Sequence, residues 1–477
     1  MNTITRAIDG VSEKIFALGD AIWDTPELLF QETTACDLLC ALMEEEGFTV
    51  ERGTAGIPTA FTAAYGSGSP RIGILAEYDA LSGLSQKAGF AEQAVEPSCG
   101  TSGHGCGHNL IAAGTAAAAI GVKAWLEEGH EGTVILYGCP GEEGGSSKTF
   151  MARDHVFDDL DCALTFHPGD ENVVYSGRSL ANIQALFRFH GAGAHAAGAP
   201  WMGRSALDAV ELMNVGTNFL REHMTPNCRV HYSITNSGGI SPNVVQQEAE
   251  VLYLVRSPEN AELQTLYSRV KDIARGAALM TGTTADVRFI KAVSGFRPNQ
   301  TLNRVLVKAL ESAPVPEVKA EWLEKALALA PTYDSKVDLA AERDRFEKGE
   351  PLQLIRTTMK PYNSAEPVSF GSTDVSDVSQ VCPTAQFNTS TWVFGTPGHS
   401  WQATSQGKSD QAHQMTLFAG KVLAEAAADL FLHPDTVAEA KAEFDRREAQ
   451  NPYQNPIPAG VIPGAPWEEL EVEKLER

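Results

Sequence analysis

The sequence predicts an α/β protein with a mainly parallel sheet and an α+β domain inserted into it. In the first 180 residues, short apolar runs alternate with helical patterns, as expected for parallel strands joined by helices. Between about 181 and 290 the apolar residues alternate with polar ones, which is typical of a sheet with one solvated face. The first pattern then returns after residue 291, so the main domain is predicted to be discontinuous in sequence.

Helices and buried strands are predicted in turn along the first part of the chain. Residues 1–48 have a helical pattern that breaks at Pro26, and residues 109–126 form an alanine-rich helical stretch. Strands are predicted at three apolar runs that end in polar or turn-forming residues: Arg71–Ala76 (RIGILA), 132–139 (GTVILYGC) and 161–166 (DCALTF). This order predicts a parallel sheet covered by helices.

The inserted domain is predicted to contain three alternating strands and two helices. The strands are Ala181–His190, 249–256 and 285–291, and the helices are 205–223 and 261–280. Beyond them, residues 313–362 are predicted to be helical and charged, and the proline-rich end is predicted to be a surface tail. The predicted domains are therefore 1–180 with 291–450, the insertion 181–290, and the tail 451–477.

Composition and charge restrict the possible partners. The chain has 477 residues and a net charge of −24, which argues against nucleic acid and against anionic membranes. An anionic substrate would need a local positive site in such a protein. The longest apolar stretch, 111–122, is too short to span a bilayer, and the N-terminus lacks the pattern of a signal peptide. We therefore predict a cytoplasmic protein whose eight cysteines are reduced.

Two glycine-rich segments carry side chains of the kinds that bind metals. Residues 103–109 (GHGCGHN) place Cys106 and His108 two positions apart in a turn that opens a helix. Glycine lets such a turn fold tightly enough for both side chains to converge. Residues 141–145 (GEEGG) place two carboxylates directly after a predicted buried strand. One carboxylate could bind a metal while the other acts on water.

Two histidines extend this set. His167 stands at the end of the next predicted strand, and His399 lies far downstream in residues 395–400 (GTPGHS). Alone, each feature has a simpler interpretation, since a lone cysteine is usually a small buried hydrophobic residue and paired glutamates usually face solvent. Their coincidence at strand ends favours a metal site, because the carboxyl ends of parallel strands meet at one edge of a sheet.

Taken together, these segments resemble the amidohydrolase branch of the di-metal aminoacylase and carboxypeptidase superfamily. The branch includes the indole-acetyl amino acid hydrolases, and the likeness runs over nearly the whole chain. Residues 371–378 (GSTDVSDV) and 399–401 (HSW) resemble its aminobenzoyl-glutamate hydrolase subgroup. The resemblance implies a catalytic domain built on the mainly parallel sheet and an inserted α+β domain that serves as a dimerisation (lid) domain.

The resemblance also assigns roles to individual residues. The family's metal ligands match Cys106, His108, Glu143, His167 and His399. Glu142 matches the general base, and His195 matches a histidine that reaches the active site of the partner subunit. Asn243 and Arg256 match residues that hold the carbonyl or carboxylate of the substrate. Without the family match, the simpler interpretation of Arg256 is a surface residue at a strand end. The simpler interpretation of Asn243, which follows a proline, is a turn residue.

One segment departs from the pattern of the wider superfamily. Where many members have a His-x-Asp metal motif, this chain has Glu77 and Asp79 on either side of Tyr78, and the amidohydrolase branch also lacks that histidine. Asp79 is expected to orient a ligand rather than to bind a metal. His104 lies outside the matched ligand set.

The activity implied is that of a metal-dependent amidohydrolase that cleaves the amide bond of an N-acyl amino acid of the aminobenzoyl-glutamate type. The implied cofactors are two divalent ions, Mn²⁺ or Zn²⁺, since thiolate and imidazole favour zinc and carboxylates also admit manganese. The implied partner is a second copy or a related subunit, giving a homodimer or a heterodimer.

Three alternatives remain open from the sequence. The chain could be a non-catalytic or partner-dependent subunit of such an enzyme, although the complete ligand set argues against an inactive site. It could instead deaminate an aromatic amine on the same metal site, although Arg256 and Asn243 favour a carboxylate-bearing substrate. A cysteine hydrolase that uses Cys106 with His108 is the weakest alternative, because their spacing of two positions turns both side chains toward a shared ion.

Overall fold

A computed structural model describes residues 2–463 and 472–475 and divides the chain into two compact units. The first unit comprises Met1–Gly177, Arg297–Pro367 and Val378–Tyr453, and the second comprises Arg178–Phe296, Val368–Asp377 and Gln454–Arg477. The second unit thus includes a short segment near residue 370 and the C-terminal residues, which the sequence analysis assigned elsewhere.

The helices are α1 Thr3–Gly10, α2 Ser12–Asp24, α3 Thr33–Glu45, α4 His108–Leu126, α5 Ser147–Arg153, α6 Ala206–Leu220, α7 Asn260–Thr281, α8 Gln300–Ser312, α9 Ala320–Leu329, α10 Leu339–Lys348, α11 Val375–Val381, α12 Trp401–Gln406, α13 Asp410–Leu432 and α14 Pro434–Gln450. The strands are β1 Thr49–Arg52, β2 Phe61–Ser67, β3 Arg71–Ala76, β4 Leu81–Ser82, β5 Ser102–Gly103, β6 Gly132–Gly138, β7 Cys162–Gly169, β8 Glu171–Val174, β9 Ala181–His190, β10 Arg229–Asn236, β11 Glu248–Ser257, β12 Thr284–Val293, β13 Arg356–Met359, β14 Thr384–Ser390 and β15 Val472–Leu475.

The first unit is built on an eight-stranded sheet with the order β1-β2-β6-β3-β7-β14-β8-β13. Its central strands β6, β3, β7 and β14 run parallel, while β2 runs antiparallel to β6. Every residue of β6 is buried, as expected for a strand covered on both faces. The predicted mainly parallel sheet is confirmed.

Helix α4 lies in the core of the first unit, against β3, β6 and β7 and against α13. Glycines of α4 and of α13 permit close packing. A Cβ added at Gly114 of α4 would lie 2.6 Å from the ring of Phe166, and one at Gly420 of α13 would lie 2.9 Å from the carbonyl oxygen of Gly114. Among the described residues, α4 has the length and hydropathy to cross a membrane, but 83% of that stretch is buried inside the protein.

The parallel strands bring four segments to one edge of this sheet. Ala76 of β3 lies opposite Gly138 of β6, and His167 of β7 lies opposite Asn388 of β14. The segments that follow β3, β6 and β14, together with His167 itself, therefore leave the sheet at the same edge, where ligands bind in open α/β sheets.

The second unit is a five-stranded antiparallel sheet with the order β10-β11-β9-β12-β15, packed against α6 and α7. Residues of β11 alternate between buried and more exposed, which confirms the predicted solvated face. Strand β10 was not predicted, although Val230, Tyr232 and Ile234 alternate with polar residues in its sequence (RVHYSITN). Seven of its eight residues are partly or largely exposed. The insertion therefore has four strands, with β10 at one edge.

Two expectations for the rest of the chain need correction. Residues 313–362 are not wholly helical, because the strand β13 follows α9 and α10. The C-terminal residues are more than a surface tail: β15 pairs with β12, Leu475 is buried, and Nζ of Lys271 lies 2.9 Å from a carboxylate oxygen of Glu473. The edge of β12 is therefore covered by the chain itself.

Candidate metal centre and active site

The metal-binding side chains predicted from the sequence come together at the edge of the first unit's sheet. Their potential ligand atoms fall into three groups whose members lie within 4.8 Å of one another: Cys106, His108 and His167; Cys106, Glu143 and His399; His108, Glu142 and Glu143. Cys106, His108 and Glu143 each belong to two groups. The groups therefore share members, as expected for ligands arranged around adjacent ions.

Backbone geometry explains how distant residues converge. Gly107 has φ +76° and stands between Cys106 and His108, so a left-handed residue turns the chain into the first residue of α4. His399 itself has φ +52°, and its backbone N–H donates to the carbonyl oxygen of Gly105 over 3.1 Å. This hydrogen bond ties the downstream segment to the Cys106 turn. A non-glycine residue in the left-handed region is uncommon and is frequently found at functional sites.

The outer hydrogen bonds orient the two central histidines. Nδ1 of His108 donates to Oδ1 of Asp79 over 2.8 Å, and Nδ1 of His167 donates to the carbonyl oxygen of Pro168 over 2.7 Å. Such partners fix the tautomer of metal-binding histidines and leave Nε2 for the metal. Nε2 of His167 lies 3.4 Å from Sγ of Cys106. The expectation that Asp79 orients a ligand agrees with this geometry.

Electrostatics favour the deprotonated ligands that a metal needs. Burial opposes ionisation of Cys106, but the neighbouring His167 and His108 outweigh it and lower the pKa of the thiol to about 6. Burial also opposes ionisation of Glu143, while His399, 3.1 Å away, and His108 lower the pKa of that carboxyl. Both shifts favour the thiolate of Cys106 and the carboxylate of Glu143, the forms in which these groups bind metals.

These residues fit a divalent metal by two further observations. Nε2 of His108 is buried and has no hydrogen-bond partner among the described residues, although Oε2 of Glu77 lies 3.5 Å away. A buried nitrogen of this kind is costly unless something satisfies it. The set also combines one thiolate, three imidazoles and carboxylates, which suits zinc and admits manganese.

A buried ion pair beside the ligands was not found from the sequence. Nζ of Lys148 lies 2.7 Å from Oε1 of Glu77, and both side chains are buried. Burial opposes the charge on Glu77, but Lys148, followed by His108 and His167, lowers the pKa of this carboxyl. Glu77 stands where much of the superfamily has a histidine, and Lys148 neutralises it here. No sequence pattern singles out Lys148, because its burial depends on packing far along the chain.

His104 and Glu32 have different places around this centre. His104 is buried, its Nε2 lies 3.1 Å from the carbonyl oxygen of Ile22, and burial lowers its pKa to about 3. It is therefore a neutral core histidine and lies outside all three ligand groups. Glu32, which the sequence analysis passed over, contacts the loop that carries Glu142.

The remaining predicted site residues belong to the second unit. The backbone of His195 pairs with that of Val244, and the N–H of Ala196 donates to the carbonyl oxygen of Asn243 over 2.9 Å, so His195 and Asn243 lie on adjoining segments. The backbone N–H groups of Ala197 and Gly198 donate to Nδ1 of His195 over 3.2 and 3.0 Å. In the neutral ring, the proton is therefore on Nε2, and the His195 residue is exposed.

Arg256 lies at the end of β11, opposite Arg229 of β10. Its guanidinium donates to Oγ of Ser372 over 2.8 Å, and that hydroxyl donates to the carbonyl oxygen of Leu180 over 2.6 Å. Burial lowers the pKa of Arg256, and no carboxylate of the described residues lies within ion-pair distance of it. Arg256 is thus a partly buried cation held by neutral partners, in a cationic part of the sheet.

Comparison with known proteins places these features in a wider context. The model of "Peptidase family M20/M25/M40" matches residues 73–418. The chain is 47% identical to one of the p-aminobenzoyl-glutamate hydrolase subunits of Escherichia coli (strain K12), over 96% of this chain and 98% of that protein. It is 31% identical to the Xaa-Arg dipeptidase of Mus musculus, over 92% of this chain and 90% of that protein.

A solved structure shares the fold. The aminobenzoyl-glutamate utilization protein from Klebsiella pneumoniae superposes with a TM-score of 0.61 at 16% identity, covering 90% of this chain and 98% of that chain. At this identity the similarity concerns the fold alone.

Proposed function

The chain belongs to peptidase family M20/M25/M40, a family of metal-dependent hydrolases of amide bonds, and from this premise we propose that it cleaves N-acyl amino acids of the aminobenzoyl-glutamate type. One observation carries the proposal: Glu142 and Glu143 stand side by side within a cluster of cysteine and histidine side chains at a sheet edge. One carboxylate is then available to bind metal and the other to act on water.

The proposed cofactors are two divalent ions, Mn²⁺ or Zn²⁺. Cys106, His108, Glu143, His167 and His399 would hold them. Bound divalent ions would act as Lewis acids toward the amide carbonyl and would make water more acidic. Asp79 and the carbonyl oxygen of Pro168 support this assignment, because each keeps Nδ1 of a histidine engaged and leaves Nε2 for the metal.

Glu142 is the proposed general base. Its carboxylate would take a proton from the attacking water and pass it to the nitrogen of the leaving amine, which departs as the neutral amino group of the amino acid. Its ligand atoms lie within 4.8 Å of those of His108 and Glu143, close enough to act on water at the same centre. The role is proposed on this geometry and on the family resemblance.

His195 is proposed to donate a hydrogen bond to the oxygen that becomes negative in the transition state. The hydrogen bonds to its Nδ1 support this role, because they place the ring proton on Nε2 without requiring a charged imidazole. A donor aimed at a developing oxyanion typically contributes about 10²–10³-fold in rate. The family resemblance implies that His195 acts in the site of a partner subunit.

Arg256 and Asn243 are the proposed substrate-binding residues. With a net charge of −24, the chain needs local positive charge to bind an acidic amino acid, and Arg256 lies opposite Arg229 in the antiparallel pair of β10 and β11. The effect of this positive charge is seen at His231, where burial and then repulsion from Arg256 lower the pKa of the imidazole. Guanidinium pairs bidentately with carboxylate. The names of both relatives describe amides that end in an amino acid.

We propose that the second unit forms a dimer. Phe219 of α6 and Leu279 and Met280 of α7 are exposed, as is Ile234 of the edge strand β10. Apolar side chains exposed together with an open strand edge are features of interaction surfaces. The partner is a second copy or, because the relative in Escherichia coli is named as one of two different subunits of its hydrolase, a related chain.

A cytoplasmic location is proposed on the state of the cysteines. All eight cysteines are free thiols, and seven of them are buried. Reduced thiols are the rule in the cytosol.

A release assay tests the proposed function. Purified protein is stripped with a chelator, reloaded with Mn²⁺ or Zn²⁺, and given N-acyl amino acids that differ in the acyl group and in the amino acid. We expect about two ions per chain and metal-dependent release of glutamate from an aminobenzoyl-glutamate. Full activity in metal-free protein would contradict the mechanism. Loaded protein that releases nothing until a related subunit is added would identify a partner-dependent subunit, and release of ammonia would identify a deaminase.

A further inference from the structure

The loop that carries Glu142 and Glu143 is hydrogen-bonded to two buried carboxyl groups. Oδ2 of Asp79 accepts a hydrogen bond from the backbone N–H of Glu143 over 2.9 Å. Oε1 of Glu32 accepts one from the backbone N–H of Gly141 over 3.0 Å. Asp79 is already part of the described metal centre, whereas Glu32 comes from the segment between α2 and α3 and is completely buried.

Glu32 makes two further hydrogen bonds that fix its position. The same oxygen, Oε1, accepts from the backbone N–H of Phe30 over 3.0 Å, and Oε2 accepts from Oγ1 of Thr59 over 3.3 Å. The carboxyl group of Glu32 therefore links its own segment, at Phe30, to Thr59 and to Gly141, which lie far away in sequence. Since a buried N–H without a partner is costly, each of these bonds constrains the backbone that makes it.

The segment beside Glu32 is held in an unusual conformation. Leu29 and Phe30 have φ +36° and +61°, a region that side-chain-bearing residues rarely adopt and that persists only where the surroundings impose it. The reason lies in their packing: a Cβ added at Gly145 would lie 2.3 Å from Cε2 of Phe30, and one at Gly144 would lie 3.2 Å from Leu29. These two side chains therefore lie directly against the glycines that follow Glu143.

The loop itself is a tight turn. Gly141 has φ +63°, and its carbonyl oxygen accepts from the N–H groups of both Gly145 and Ser146 over 2.7 Å. The turn thus closes on Gly141, the residue whose own N–H is bound by Glu32. A shift of Gly141 would move Glu142 and Glu143 together.

We propose that Glu32 is a positioning residue for the hydrolysis: it holds Gly141 and the strained Leu29-Phe30 segment so that the loop presents Glu142 and Glu143 in register with the other ligands. This role rests on the proposed function. Glu32 acts through the loop and does not itself touch the reacting atoms.

Position 32 needs a side-chain oxygen that reaches the backbone N–H groups of Phe30 and Gly141, rather than a negative charge. Burial, and then repulsion from Asp79, raise the pKa of Glu32 to about 8, so the carboxyl is largely protonated at neutral pH. A glutamine has the same length and an oxygen that can accept from both N–H groups, whereas an aspartate is one methylene shorter. Glu32→Gln should therefore preserve the position and Glu32→Asp should lose it.

Two measurements on Glu32→Gln, Glu32→Asp and Glu32→Ala test the role. The first is amide hydrogen exchange of residues 139–146 in metal-free protein. We expect exchange near that of the wild type for Glu32→Gln and at least about tenfold faster for the other two. The second is steady-state kinetics with loaded protein. We expect kcat to fall by about 10²-fold for Glu32→Asp with KM changed far less, because misplacement by about 1 Å costs this much, and we expect Glu32→Gln to stay within a few-fold.

The control is Glu27→Ala. Glu27 lies in the same segment, but its carboxylate accepts from the backbone N–H groups of Thr34 and Ala35 at the start of α3. We expect it to lower the melting temperature without faster exchange in residues 139–146. Unchanged exchange in Glu32→Asp and Glu32→Ala, or the same loss of kcat in Glu27→Ala as in Glu32→Asp, would overturn the proposal. Wild-type protein that hydrolyses nothing would contradict the proposed function instead, and the exchange data would still decide whether Glu32 holds the loop.

Discussion

His108 and Asp79 form a buried imidazole–carboxylate pair in which Nδ1 of His108 donates to Oδ1 of Asp79 over 2.8 Å. The other carboxylate oxygen accepts from the backbone N–H of Glu143. One side chain therefore orients two of the proposed metal ligands, one through its ring and one through its backbone. Its loss should affect metal binding even though Asp79 itself binds no metal in the proposed site.

Asp79→Asn tests this orientation. An asparagine keeps the shape but weakens the bond to His108 and can present an N–H₂ group to it. We expect the affinity for metal to fall about 10–100-fold, as is typical when the partner of a metal-binding histidine is changed. Metal content after dialysis against graded chelator measures this. Unchanged affinity would show that Asp79 has only a structural role.

Glu142→Gln should keep the metal and lose most of the activity. The amide cannot accept the proton from water, and loss of a general base typically costs about 10²–10⁴-fold in kcat. Metal analysis and kcat are measured together, with Glu143→Gln as the control that should lose metal. If Glu142→Gln empties the site while Glu143→Gln leaves it filled, the two roles are reversed.

Arg256→Ala should weaken the binding of substrates that end in a free carboxylate. Loss of one partner of a buried charge pair costs about 2–5 kcal/mol, so KM should rise strongly. The comparison is between an acyl-glutamate and its amide. Arg188→Ala is the control, because Arg188 lies in β9 of the same sheet and is paired with its own carboxylate, Glu250. Equal effects of Arg256→Ala on both substrates would make Arg256 structural.

His195→Ala and Glu142→Gln should complement each other if each site uses His195 of the partner subunit. In a mixed dimer, one site combines the intact Glu142 of one chain with the intact His195 of the other. Random exchange makes about half of the dimers mixed, so roughly a quarter of wild-type sites should recover. Mass spectrometry confirms the exchange. Absence of recovery in verified mixed dimers would place His195 in its own chain's site or outside the site altogether.

The pH dependence of stability should reveal the buried Glu32. Its pKa is raised to about 8, against about 4.5 in the unfolded chain, so the folded state retains a proton that the unfolded state releases. The free energy of unfolding therefore falls as pH rises from about 4.5 to about 8. The loss is up to about 1.4 kcal/mol for each unit by which the folded pKa of Glu32 exceeds its unfolded pKa. In metal-free protein, Glu32→Gln should gain stability over the wild type across this window, and the exposed Glu13→Gln should not. If the difference in stability between Glu32→Gln and the wild type stayed constant from pH 5 to pH 9, the raised pKa of Glu32 would be contradicted.

The sequence located the proposed metal-binding segments because their positions follow from local patterns. An apolar run that stops at glycine or proline marks a strand end, and the parallel order of β3, β6 and β7 brings those ends to one edge. For the same reason Cys106, Glu143 and His167 could be grouped before the fold was known. His399 was grouped with them from its glycine-rich segment, although it lies several residues beyond the end of β14, and the resemblance then matched it to a metal ligand.

The residues that were not predicted are mainly those whose contacts lie far away in sequence. Glu32 and Lys148 look like ordinary surface residues in sequence, yet both are completely buried by packing against segments far away. Strand β10 was missed although Val230, Tyr232 and Ile234 alternate with polar residues, because an alternation of three apolar residues is a short signal. Ser372, which holds Arg256, could not be paired with it over 116 positions by any local rule.

The strand β15 limits how the second unit can assemble. A sheet with two bare edges can add copies at both and grow without end, as fibres do. Here the described sheet ends in β10 on one side and in β15 on the other. β15 has only four residues, Val472–Leu475, and carries Glu473 and Lys474. Short, charged edge strands are poor templates for pairing, so the longer β10 is the edge better suited to a partner. Association that uses one edge of each sheet favours pairs over fibres.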